Sequence, residues 1–443
     1  MTNLPATPAL RPLITLATLC IGLLVTGVTR SADLIEIYQQ ALVHDAEYQA
    51  AQYDLESARQ RVPLARSAFL PQISLGGESG YVTLADDGAG PFAETALTLS
   101  ISQTLFNRSN SKLLDQAHIG VMQAEAQYAA LGQSLILQVS TAYFEVLRAQ
   151  ANVEFSQSEL EAISRQKEQA ERRFDVGLVP ITDVRSAQAQ FDLAVAQEIA
   201  ARNQLFTAQE ALIVISGVES EELAQLADDL PLTPPTPADI DAWVDLAKNQ
   251  NLDLVIARLA NDSTRAQVDI ERANRYPTVD LVGIAASNTT VQVGRDDAEL
   301  AELRLQFVLP ILTGGRTSAQ IAQARADSLS SAQTLIAQER ATTQQTRDGY
   351  RGVLASISQV VALRQALVST QQSADATEAG FRAGTRTSVE VLQALRDTFA
   401  ARSDYAGARY DYIINTLNLK AASGTLSEDD LVALNRFLFI SEE

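Results

Sequence analysis

The chain repeats itself, and that duplication limits its fold more than any other feature. The segment Arg66-Ser67-Ala68-Phe69-Leu70-Pro71-Gln72-Ile73-Ser74-Leu75 returns 206 positions later as Arg272-Ala273-Asn274-Arg275-Tyr276-Pro277-Thr278-Val279-Asp280-Leu281. The pattern Phe174-x-x-Gly177 with Asp183, Val184 and Ala187 returns at an offset of 207 as Phe381-x-x-Gly384 with Glu390, Val391 and Ala394. Leu212 and Gly217 match Leu419 and Gly424 at that same offset. The period is too long for a solenoid. It fits one structural unit of roughly 190 residues used twice to complete a pseudo-symmetric object.

Helical pattern dominates both copies. Leu135, Val139, Ala142, Val146, Ala149, Val153, Ser156, Leu160, Ile163, Lys167, Ala170 and Phe174 follow strict 4-3 spacing, the seam of a coiled coil. The second copy is expected to use Tyr350, Leu354, Ile357, Val361, Arg364 and Val368. The first long helix is expected from Ser109 to Val176, 68 residues or roughly 100 Å at about 1.5 Å each. Gly177 ends it and Pro180 restarts a helix; Gly384 and the turn Thr385–Ser388 do the same in the second copy. Each half thus carries a very long helical hairpin. With aromatics at only 6% of residues, long thin helices suit this chain better than a thick core.

Two strand pairs interrupt the helices, expected over Gln72–Leu84 with Pro91–Phe106, and Thr278–Val291 with Ala301–Leu312. Leu97, Leu99, Ile101 and Leu105 alternate with Thr98, Ser100, Ser102 and Thr104. Leu303, Leu305, Phe307 and Leu309 alternate with Glu302, Arg304, Gln306 and Val308. This period of two suits a soluble hairpin on a helix or the wall of a membrane barrel. Four strands cannot close a barrel, and few aromatics leave little core for a soluble sheet. Closure by oligomerisation answers both, because lipid does not tolerate open edges.

The N-terminus reads as a secretory signal: Arg11, then an apolar run from Leu13 to Val28, with no acid before Asp33. The expected divisions are a signal peptide over 1–32, a first repeat over 33–230, and a Pro-rich linker over 231–237. A second repeat over 238–426 and a tail over 427–443 follow. The segment Ser423–Leu438 reads as a plain closing linker. No mature run of 18 apolar residues suggests a transmembrane helix. The only cysteine, Cys20, lies in the signal, so no disulfide or thiol chemistry is expected. The net charge of −20 argues against nucleic acid and against anionic lipid headgroups as partners.

No enzyme is legible. His44 and His118 are isolated, and no metal-ligand spacing or cofactor motif stands out. Gly76-Gly77-x-x-Gly80 imitates a nucleotide loop but lies inside a strand and has no following Lys. Gly314-Gly315 reads as a strand-to-helix turn.

Three stretches carry a family likeness. They are Ala170-Glu171-Arg172-Arg173-Phe174-Asp175-Val176-Gly177-Leu178-Val179-Pro180-Ile181-Thr182-Asp183-Val184, Gly380-Phe381-Arg382-Ala383-Gly384-Thr385-Arg386-Thr387, and Ala408–Lys420 followed by Gly424-Thr425-Leu426. On them the chain resembles the TolC family of outer-membrane channel proteins over nearly all of residues 33 to 440. The resemblance implies a homotrimer, four strands per chain in one twelve-stranded outer-membrane barrel. The helices would continue it as an α-barrel across the periplasm. It implies a periplasmic adaptor and an inner-membrane transporter as partners, outer-membrane lipid around the strands, and no cofactor. Cargo would be toxic small molecules or secreted polypeptides.

By the same likeness Thr182, Asp183, Phe381, Arg386, Glu390 and Gln393 form the gate at the hairpin tips, with Gly177, Pro180 and Gly384 as turns. Arg386 would pair with Asp183 of a neighbouring protomer. Read alone, Asp183 and Glu390 are acids in the first turn of a helix, where the dipole favours them. The chain departs from the family twice: a tyrosine becomes Phe381, and a second acid past Glu390 becomes Gln393. A rival reading is a periplasmic or surface coiled-coil structural protein without a channel.

Overall fold

The computed structural model describes residues 32–82, 92–219, 222–290 and 298–439. The expected signal up to residue 31 and the strand-joining loops at 85–90 and 294–297 lie outside the described residues.

Each half opens on two helices joined at one polar residue. In the first, α1 (Leu34–His44) meets α2 (Ala46–Arg59) at Asp45, whose carboxylate accepts from the Tyr48 N–H at 2.7 Å. A short α3 (Arg61–Ser67) follows. Pro63 has no N–H to send back along the helix, so the chain breaks at Gln60. β1 (Gln72–Val82) and β2 (Phe92–Asn107) come next. Then α4 (Arg108–Asp175) runs for 68 residues and returns as α5 (Ile181–Ser216). A two-residue β3 (Gln225–Leu226) ends the half.

The second half repeats the plan. α6 (Ile240–Gln250) meets α7 (Leu252–Ala273) at Asn251, which caps the Leu254 N–H at 2.9 Å. β4 (Thr278–Thr290) and β5 (Ala298–Val308) lead into the hairpin of α8 (Arg316–Arg382) and α9 (Ser388–Ser423). The four long strands form one antiparallel sheet in the order β1-β2-β4-β5. β5 stops short of the expected Leu312 because Pro310 cannot donate to a ladder. Cross-strand rows put Ile73, Ile101, Gly283 and Leu303 on one face, and Ser74, Ser100, Ile284 and Glu302 on the other. Among the described residues nothing covers the apolar face: Ile73 and Leu75 are each 68% exposed.

The main core lies midway along the long helices, where Leu34, Ile37, Tyr143, Phe144, Ile413 and Leu419 pack together. The Tyr143 hydroxyl donates to the Ala224 carbonyl at 2.7 Å. The segment expected as a closing linker is structured instead. It holds α10 (Glu428–Asn435), started by a Ser427–Asp430 capping box, and β6 (Leu438–Phe439), which pairs antiparallel with β3. Leu431, fully buried, anchors that helix in the core.

On α4 the expected seam is buried at Leu135, Val139, Val146, Ala149, Ile163 and Ala170. On α8 the expected seam holds at Tyr350 and Ile357, which pack against the main core, and is one residue out elsewhere. Val353, Ser356, Val360, Ala374 and Phe381 are buried, while Leu354, Val361 and Val368 stand exposed. Two stripes share the 4-3 spacing there, and the stripe with larger side chains is the uncovered one. α8 is also long and apolar enough, by length and composition, to cross a membrane. Only 17% of that apolar window is buried within the protomer.

Candidate functional site at the hairpin tips

Both tips are built by the same backbone device. At the first, the Gly177 N–H bonds the Phe174 carbonyl at 2.8 Å and the Leu178 N–H bonds Arg173 at 2.9 Å. At the second, Gly384 bonds Phe381 at 3.1 Å and Thr385 bonds Gly380 at 2.9 Å. These paired bonds close a helix through a left-handed residue, which glycine adopts without strain. Pro180 stands at the N-cap of α5 with no side-chain bond. Thr387 caps α9 in a full capping box with Glu390.

The charged groups divide between the two tips. Arg386 donates to the Glu390 carboxylate at 2.7 Å within the protomer. The other Glu390 oxygen accepts from the Thr387 N–H at 2.7 Å. That backbone bond first, and the Arg386 bond next, hold Glu390 down at about 2. Gly380 leaves room for this arrangement, since a Cβ there would lie 2.7 Å from Arg386 Cγ. Asp183 accepts from the Ser388 hydroxyl at 3.3 Å, tying the start of α5 to the start of α9. Thr182 reaches the same carboxylate at 3.5 Å. Gln393 turns up its own helix to Asp397 at 2.8 Å.

Phe381 is buried, and the Arg173 guanidinium lies 4.4 Å over its ring. The cation thus covers the face of a ring that has no hydroxyl to bond. About two turns higher, Arg396 of α9 reaches both helices of the first hairpin. It donates to Gln190 at 2.8 Å and lies 3.8 Å from Glu159. Burial raises the Glu159 carboxyl above its ordinary range, and Arg396 opposes that in part. Arg396 and Glu159 border a groove of about 650 Å³ that also includes Asn152, Gln393, Asp397 and Ser403.

Of the expected site residues, the structure joins Arg386 to Glu390 and Thr182 to Asp183, but gathers no single cluster within one protomer. Arg173 and Ser388 entered the sequence reading only as part of the family likeness and the tip turn, and Arg396, Gln190 and Glu159 escaped it. Arg396 and Gln190 lie 206 positions apart, near the duplication offset, and that was the one available signal for the pair.

An open four-stranded wall, apolar on one face and polar on the other, carried on two long hairpins, is the build of one segment of a membrane exit duct. The sequence matches the family described as outer membrane efflux protein, over residues 37–218 and again over 243–425. Outer membrane protein TolC of Escherichia coli (strain K12) is 36% identical over 435 residues, covering 94% of this chain and 88% of its own length. Alkaline protease secretion protein AprF of Pseudomonas aeruginosa is 29% identical over 93% of this chain and 88% of its own. Among solved structures, the outer membrane protein VceC from Vibrio cholerae superposes with a TM-score of 0.75 at 20% identity, covering 88% of this chain and 96% of that one. The chain belongs to the outer membrane efflux protein family. It is an outer-membrane channel for efflux or secretion, extending into the periplasm, and not an enzyme.

Proposed function

We propose that three copies assemble into one duct, gated at the hairpin tips, that passes cargo from an inner-membrane transporter and a periplasmic adaptor. The observation that carries this reading is the sheet's two open edges. β1 and β5 each pair on one side only, and the apolar face is bare. Lipid makes unpaired backbone groups expensive, so the edges must find each other. Joining β5 of one copy to β1 of the next gives twelve strands, within the range of closed membrane barrels. The bare stripe of Leu354, Val361 and Val368 on α8 gives the same neighbour a helical surface to cover.

At the tips, Asp183 of one protomer and Arg386 of its neighbour supply opposite charges for a latch. Arg386 would exchange Glu390 for Asp183, or bridge both. Val176 and Leu178, 69% and 72% exposed, offer the adaptor an apolar contact at the first tip. Extraction in mild detergent followed by light scattering tests the assembly, with a trimer expected. A monodisperse monomer that keeps its β content overturns it. Planar-bilayer conductance then tests the duct itself.

A further inference from the structure

We propose that the junction between sheet and helices is a cationic collar that binds anionic phospholipid headgroups in the periplasmic leaflet of the outer membrane. The net charge of −20 hides a local reversal. The chain crosses this junction four times, and each crossing lies in a window without any acid: residues 57–77, 95–114, 272–279 and 303–326. Those windows hold ten Arg or Lys.

The register shows that all four crossings share one end of the sheet. Gln72 pairs with Ser102, Asn107 with Thr278, and Thr278 with Val308. Arg66 is near the end of α3, Arg108 opens α4, Arg275 precedes β4, and Arg316 opens α8. All four are exposed, and among the described residues none lies within ion-pair distance of a carboxylate. Arg108 stacks 4.2 Å from the centre of the Tyr276 ring, and Arg275 reaches the Ser318 hydroxyl at 3.4 Å.

The same end carries a bare apolar and aromatic belt. Leu70 is 59% exposed, Phe307 61%, and Ile311 and Leu312 each 90%. Aromatic rings mark the headgroup level of a bilayer, and guanidinium groups bind phosphate through paired donors. A belt that continues the lipid-facing wall, ending in free guanidinium groups, fits a phosphodiester with acyl chains beside it. The inference rests on the barrel's place in the membrane, and insertion into vesicles tests that place separately.

The test uses the full-length, detergent-extracted assembly titrated with short-chain phosphatidylglycerol or phosphatidylcholine, read by native mass spectrometry. The wild type should retain phosphatidylglycerol in preference. Each collar arginine changed to glutamine should weaken that binding about fivefold at low salt, and all four together several-hundredfold. Replacing the same four by lysine should keep most of the preference. Arg351→Gln, about 50 Å along α8 from Arg316, should change nothing. If the quadruple variant does not assemble, the four single variants carry the test. Equal retention of both lipids by the wild type would overturn the proposal. So would an unchanged preference in the glutamine variants, or stripping of the lipid by inorganic phosphate, which would mark a site for free anions.

Discussion

Gly424→Ala and Gly384→Ala form a matched pair that separates backbone strain from packing. Both glycines sit at φ +76 at the close of a long helix, so an L residue pays the same left-handed cost at each, about 1–2 kcal/mol. Their surroundings differ. At Gly384 nothing lies within 4 Å of the missing Cβ. At Gly424 that Cβ would fall 2.3 Å from the Gln250 carbonyl oxygen and 2.7 Å from the Asn251 nitrogen. Both are backbone atoms at the α6–α7 corner, and Asn251 there donates to Ala422 at 3.0 Å. Overpacking of a tight contact costs typically about 1–3 kcal/mol more. Gly424→Ala should therefore destabilise by about 2–5 kcal/mol, against about 1–2 kcal/mol for Gly384→Ala. Gly217, the matching position in the first half, should fall between: its nearest neighbours, His44 Cβ and Cγ at 2.7 Å, are less close than the backbone atoms at Gly424 but sit at the root of the side chain, where a rotamer change does not clear them. Thermal unfolding in detergent by far-ultraviolet circular dichroism reads the series. The expected order of melting points is Gly424→Ala lowest, then Gly217→Ala, then Gly384→Ala. Equal melting points for the outer two would refute the packing argument and leave backbone conformation as the whole effect.

Further predictions concern the tips. Arg386→Ser should raise single-channel conductance in planar bilayers, and unchanged conductance would count against the proposed latch to Asp183. Trivalent cations should block the channel weakly; Glu390→Gln should abolish that block and Gln393→Asp should strengthen it. Because Glu390 is held at about 2 by Thr387 and Arg386, its carboxylate stays charged well below the ordinary range. Block should then persist on acidification from pH ~7 to pH ~4, where a free Glu would be half protonated; loss across that interval would mean that repulsion among the three copies outweighs those bonds. Glu159 works with the opposite sign: its folded-state value is raised, so its ionised form opposes folding above that value. Mild acidification should therefore raise the melting point, and Glu159→Gln should flatten the rise; an equal rise in the variant would assign it to another group.

The duplication made the hairpins, strands and tip turns legible, because glycine and proline mark the same places twice. Period two located the strands, but Pro310 ended β5 before the apolar pattern ended. The α8 seam was misplaced for a physical reason. Apolar spacing shows that a helix has a stripe, and does not show whether that stripe faces its own chain or a neighbour. The α10 helix was written in Ser427, Asp430 and Leu431, a capping box followed by a core residue, yet the short polar segment drew attention away from it. Among tip residues, Arg386 and Glu390 were found by likeness and then joined by geometry. The roles of Arg173 and Arg396 were missed because each works on a residue far away in sequence, Phe381 and Gln190.

Where the two halves stop matching, the difference serves a ring of alternating parts. In the proposed trimer six hairpins of two kinds alternate around the duct. Identical hairpins would set like charges beside like, because matched positions would carry the same residue. The chain avoids this. Asp183 on the first tip has an acid, Glu390, as its counterpart, but Arg386 on the second has Val179. At this matched turn position a cation therefore exists on one kind of tip alone, and its own Glu390 holds it at 2.7 Å until a neighbour competes. The first tip ends instead in exposed Val176 and Leu178. One tip is thus apolar with a carboxylate behind it, and the other is polar with a cation at its turn. Exposed pairs of this kind contribute only about 0–1 kcal/mol each. In the proposed gate, a latch of three such links would hold a shut state against thermal motion and would still yield to a partner that supplies a few kcal/mol of contact at the tips, as a gate opened by docking requires.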